Sequence, residues 1–147
     1  MKNQLRWIGP LVLATLLAGP ASVAEGQASD ERAKPPGEGV MCALAIYSAM
    51  DQVGRVCFPG QDPAMQAEVG RAVAKLDRYV LANGWTAEDL AHFKREQASV
   101  DTPKDKLCKG DFLDLYKAAK TSDPAALGAA VDKATSRPGQ PTWGTCL

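Results

Sequence analysis

The stretch VMCALAIYSAMDQVGRVC at residues 40–57 repeats its large apolar side chains at spacings of three and four, the period of a helix and not of a strand. Cys42, Ile46, Ala49, Val53 and Cys57 fall on one stripe, which Leu44, Tyr47 and Met50 widen. A helix over about residues 40–56 follows, stopped by Phe58, Pro59 and Gly60. Its ends carry two of the four cysteines of the chain, the others being Cys108 and Cys146, so three pairings exist. The helix removes one of them. Its rise of about 1.5 Å per residue holds Cys42 and Cys57 roughly 22 Å apart, whereas a disulfide needs α-carbons within about 7 Å. Each must reach a cysteine of the C-terminal half.

Downstream, the same period recurs between start and stop signals. Asp62 before Pro63 reads as a helix start, the carboxylate accepting from first-turn backbone donors and the proline having no donor to waste. Met65, Val69, Val73, Leu76 and Val80 form the buried stripe of this second helix, with Glu68, Arg71, Lys75 and Arg78 opposite and Gly84 as its left-handed stop. Thr86 and Asp89 have capping-box spacing, and Trp85 and Leu90 are placed for a hydrophobic staple, so a third helix runs to about Ala98. Thr102–Pro103 and Gly110–Asp111 both signal starts, which predicts a fourth helix in two pieces around Cys108. Asp123 and Pro124 open a fifth, to about Ser136, and the prolines at 138 and 141 leave an extended tail bearing Trp143 and Cys146.

Short connections make successive helices antiparallel neighbours. Cys57 then lies at the pole that Cys108 reaches, and about ten extended tail residues can travel some 30 Å back to Cys42. The expected fold is all-α: a small disulfide-stapled bundle of about five helices with an extended C-terminal tail, paired Cys42–Cys146 and Cys57–Cys108.

At the other end of the chain, Lys2 and Arg6 precede an apolar run over residues 7–18, and Ser22 and Ala24 supply small residues for cleavage after position 24. That run is shorter than the roughly 20 residues that span a bilayer. Residues 1–24 therefore read as a cleavable secretion signal, residues 25–39 as a flexible leader, and residues 40–147 as the helical domain. The expected location is exported, periplasmic or extracellular, where disulfides persist, with no membrane association after cleavage. The 17 basic residues of the chain fall to 15 when Lys2 and Arg6 are removed, against 17 acidic ones, and a nearly neutral chain of this kind does not suit nucleic acid.

The pattern closest to chemistry is Glu88, His92 and Glu96, four residues apart on the third helix with Asp89 one turn from His92. Carboxylates around an imidazole can hold a divalent metal or move a proton. His92 is the only histidine, however, and no second helix presents further ligands, so a solvated helix face is the expected reading and no cofactor is assigned. Leu90, Ala91 and Phe93 are expected to form the buried side. No glycine-rich phosphate loop, serine elbow or zinc-binding cysteine cluster is visible. Trp143 is expected in the core at the end of the bundle; exposed beside Tyr47 or Phe58, it would instead mark a contact patch.

Cys57, Phe58 and Pro59, with Cys42 upstream and an amphipathic helix downstream, resemble over residues 42–83 the pattern of small periplasmic immunity proteins that neutralise peptidoglycan-amidase toxins. The longer chain beyond Cys57 and its proline-rich tail depart from that pattern, and no functional residue carries over. The sequence thus points to an exported, non-catalytic helical domain binding a protein or cell-envelope component. The alternatives are an immunity-like inhibitor of an envelope toxin, or a hydrolase or metal-binding protein using the Glu88, His92 and Glu96 face.

Overall fold

Helix α1, Val40–Cys57, is the axis on which the rest of the fold packs, in a computed structural model that describes residues 34–146. The expected signal at residues 1–24 and the leader as far as residue 33 lie outside the described residues. After α1 come α2 (Pro63–Ala82), α3 (Ala87–Gln97), α4 (Lys104–Leu107), α5 (Asp111–Ala119) and α6 (Pro124–Ala134). The described residues are all-helical apart from one isolated parallel bridge between Glu38 and Thr142. The sixth helix arises because the predicted fourth is divided around Cys108, with Gly110 as the N-cap of its second piece.

Because α2, α3, α4 and α5 all pack against it, α1 is buried on more than the single stripe its spacing suggests. Val40, Leu44, Ala49 and Val53 are fully buried, and Ala45, Ser48 and Gly54 are buried as well. Small residues let the neighbours approach: a Cβ on Gly54 would lie 3.1 Å from the Tyr116 ring of α5. Val69, Leu76 and Val80 of α2 are also fully buried, each side chain stabilising the fold by about 1.5–3 kcal/mol relative to exposure. The polar side of α2 is not left entirely to solvent, since α6 packs on that helix and Lys75 pairs with Asp132 at 2.5 Å.

The start of α2 differs from expectation. Asp62 has φ 50° and makes no side-chain cap, because a capping residue needs extended backbone to aim its oxygen at the first-turn donors. Its carboxylate lies 2.8 Å from Lys120 of the α5 C-cap, off the axis that a hydrogen bond requires. Gln66, one turn into α2, serves the end of α1, donating from Nε2 to the Phe58 carbonyl at 2.8 Å and the Gln61 carbonyl at 2.6 Å.

Two disulfides fasten α1 at its ends. Cys42 joins Cys146 with α-carbons 5.3 Å apart, and Cys57 joins Cys108 at 5.7 Å. The tail is further held along its length. Tyr79 donates to the carbonyls of Arg137 and Gly139, Gly139 N–H donates to the Asn83 side chain, and Thr142 N–H donates to the Gly37 carbonyl at 3.0 Å. The last contact corrects the leader boundary. Residues 34–39 are not a free leader but the strip against which the tail lies, with Arg137 also bonding the Lys34 carbonyl at 3.1 Å. Gly37 is required there, since its φ is +85° and a Cβ would collide with the Gln140 carbonyl oxygen.

Candidate functional site

Thr86 fixes the entry of α3 by a complete capping box. Its hydroxyl accepts from Asp89 N–H at 3.1 Å, while Asp89 Oδ2 accepts from Thr86 N–H at 2.9 Å and from the hydroxyl at 2.7 Å. Those bonds from the Thr86 side chain and backbone hold the Asp89 carboxyl below the usual carboxylate range, with a smaller pull from nearby His92. Just before the cap, Trp85 meets Phe93 edge to face with ring centroids 5.2 Å apart. Phe93 in turn touches Trp143 at 5.7 Å, so the α3 entry and the C-terminal tail share one aromatic row.

Trp143 is therefore not core. It is 52% exposed, because the place beneath it is filled by buried Phe93, and the buried residue of that tail segment is Pro141. Nor does it stand beside Tyr47 or Phe58. Tyr47 is buried and donates to the Leu127 carbonyl at 2.9 Å, and Phe58 stacks on Tyr116 with the Lys120 ammonium 5.3 Å from its ring centre. Both are engaged in holding the bundle together.

Next to Trp143 the surface sinks into an open depression of about 520 Å³, lined chiefly by Met41, Trp85, Asp89, His92, Phe93 and Glu96. The sequence stripe is thus divided: His92 and Glu96 line the depression with Asp89, and Glu88 does not. Ala91, expected on the buried side, is exposed, and Phe93 is the one buried residue of that helix. Among the described residues no three His, Cys, Asp or Glu side chains converge in a group that could hold a metal ion. The lining offers no serine, cysteine or lysine nucleophile to work with the imidazole. What it offers is the half-buried Trp85 over buried Phe93, and a rim bearing the carboxylates of Asp89 and Glu96.

Sequence reasoning missed that the tail bearing Trp143 comes up beside the depression, because that placement depends on the tail crossing the start of α1, where Met41 N–H donates to the Thr142 carbonyl at 3.3 Å. The readable signal was a tryptophan set between Pro141 and Cys146, two points at which the tail is anchored. Fold and site together define a disulfide-clamped, all-α domain with an exposed tryptophan, Trp143, beside α3. No family model matches the chain, and neither a curated protein nor a solved structure matches it. Among the described residues no helix is long and apolar enough to cross a membrane.

Proposed function

We propose that this chain is an exported, non-catalytic helical domain that binds a protein or a cell-envelope component through Trp143 and the adjoining face of α3. The signal-like start and two disulfides support the exported location, since disulfides persist in oxidising compartments. The observation that carries the binding role is an exposed tryptophan on a fastened backbone. Trp143 lies three residues from the Cys42–Cys146 bond and next to Thr142, whose backbone is bonded to Gly37 and Met41. A large aromatic presented on an ordered segment loses little freedom on binding, which is how contact hot spots are built.

The test compares immobilised oxidised protein with its Trp143→Ala variant in an envelope extract. A component retained by the wild type and lost by the variant, with both proteins melting alike, is expected. Equal retention by the two, or none by either, contradicts the proposal.

A further inference from the structure

We infer that the depression beside α3 receives a cationic side chain of a partner protein, a lysine or arginine on an extended basic segment. This rests on the binding role just proposed and gives it a chemistry. Two carboxylates, Asp89 and Glu96, line the depression, and no lysine or arginine does. Of the other described carboxylates, Asp51, Asp62, Glu68, Asp77, Asp114 and Asp132 each lie within ion-pair distance of a lysine or arginine. Glu38, Glu88, Asp101, Asp105, Asp111 and Asp123 take part in no ion pair among the described residues, so it is the aromatic lining beside Asp89 and Glu96 that sets the depression apart. Neither carboxylate of the depression has such a partner among the described residues. Lys94, on the same helix, is bound to Asp77 at 2.7 Å and is not available to them.

A third carboxylate adjoins Trp143. Glu38 lies over the neighbouring Gly144, so close that a Cβ there would meet its Cγ at 2.6 Å. The negative charge is also held in position, because Asp89 Oδ2 is fixed by the Thr86 backbone and hydroxyl. Aromatic rings complete the match. Trp143 is exposed, and Trp85 and Phe93 line the floor beside Met41. Indole is the aromatic group that attracts cations most strongly, and the methylene stem of lysine or arginine covers apolar surface while its head reaches carboxylates. A polyanion would meet repulsion at Glu38, Asp89 and Glu96.

The test uses the oxidised protein exported from its full-length gene and ¹⁵N NMR titration with an acetylated, amidated tetralysine peptide. Saturable shifts in the amides of α3 and residues 142–144 are expected. They should weaken about tenfold in Glu96→Gln and in Trp143→Ala, and weaken as salt rises from about 20 to 200 mM. The same peptide acetylated on its side chains should give none. Both substituted residues are exposed, and unchanged amide positions for α1 and α2 establish that each variant is folded.

Absence of saturable shifts with tetralysine overturns the inference. So does equal affinity for the side-chain-acetylated peptide, tighter binding of an uncharged oligosaccharide, or an affinity indifferent to Glu96→Gln. If tetralysine fails while retention from envelope extract still depends on Trp143, the face stands and only its cationic preference falls. If that retention is also absent, the binding role itself is wrong.

Discussion

Asp51 shows how a single residue of the central helix trades solvation against charge. Its side chain is 12% exposed and lies 2.6 Å from Arg55, one turn along α1. Burial raises its pKa above the ordinary 3.8 by more than the opposing pull of Arg55 and Lys94, and Asp77 adds to the rise. With a raised folded value, the unfolded chain releases this proton first as pH climbs. Ionised Asp51 therefore lowers stability once pH passes through the folded pKa, and has no such effect in acid below the unfolded one. Asp51→Asn is expected to raise the melting temperature at pH 7 and leave it unchanged near about pH 3. The ion pair lost is minor, because Arg55 is 61% exposed. A lower melting temperature at pH 7 would show that the pair outweighs the burial. Not every residue was legible in this way. Asp62 carries the right chemistry for a cap, but the turn from Phe58 sets it at φ 50°, and Trp143 has a core residue's bulk at a place already filled by Phe93.

Among the elements, α2 and α3 were readable because their signals are local. The stripe Met65, Val69, Val73, Leu76 and Val80 is buried as its spacing requires, and Thr86 with Asp89 forms the reciprocal cap. Less readable was α1, since periodicity identifies one buried face while burial here comes from four helices packed around it. The candidate face was half legible: His92 and Glu96 stood out on α3, but Met41 joins them only through the packing of α3 on α1, and Trp143 only through the tail. Because α3 carries that face, its cap matters to both stability and charge placement. Thr86→Ala is expected to destabilise the domain by about 1 kcal/mol. It should also return the Asp89 titration, followed by carboxyl NMR, to the ordinary carboxylate range. The depressed pKa contributes stability that is present above the unfolded value and lost as pH falls through the folded one, so the difference between wild type and variant shrinks in acid. A variant with unchanged stability and unchanged Asp89 titration would mean the capping box does not hold α3.

At the scale of the whole molecule, short helices and an irregular tail are held by covalent closure. α4 has 4 residues, α5 has 9 and α6 has 11, lengths that are marginal without tertiary support. The helix-length argument excludes Cys42–Cys57, and the polarity of antiparallel neighbours selects the pairing seen among the remaining two. The bonds span sequence separations of 104 and 51 residues. Each loop closure taken alone restricts the unfolded chain by about 4–5 kcal/mol, although nested loops do not add. Total domain stability is ordinarily only about 5–15 kcal/mol. The clamps also carry the proposed function, because Cys42–Cys146 secures the tail that sets Trp143 against Phe93. Thermal unfolding of the oxidised protein beside a reduced sample whose four thiols are titrated as free tests this most directly. A reduced domain that is unfolded, or melts far below the oxidised one, is the predicted result; an unchanged melting temperature would contradict it.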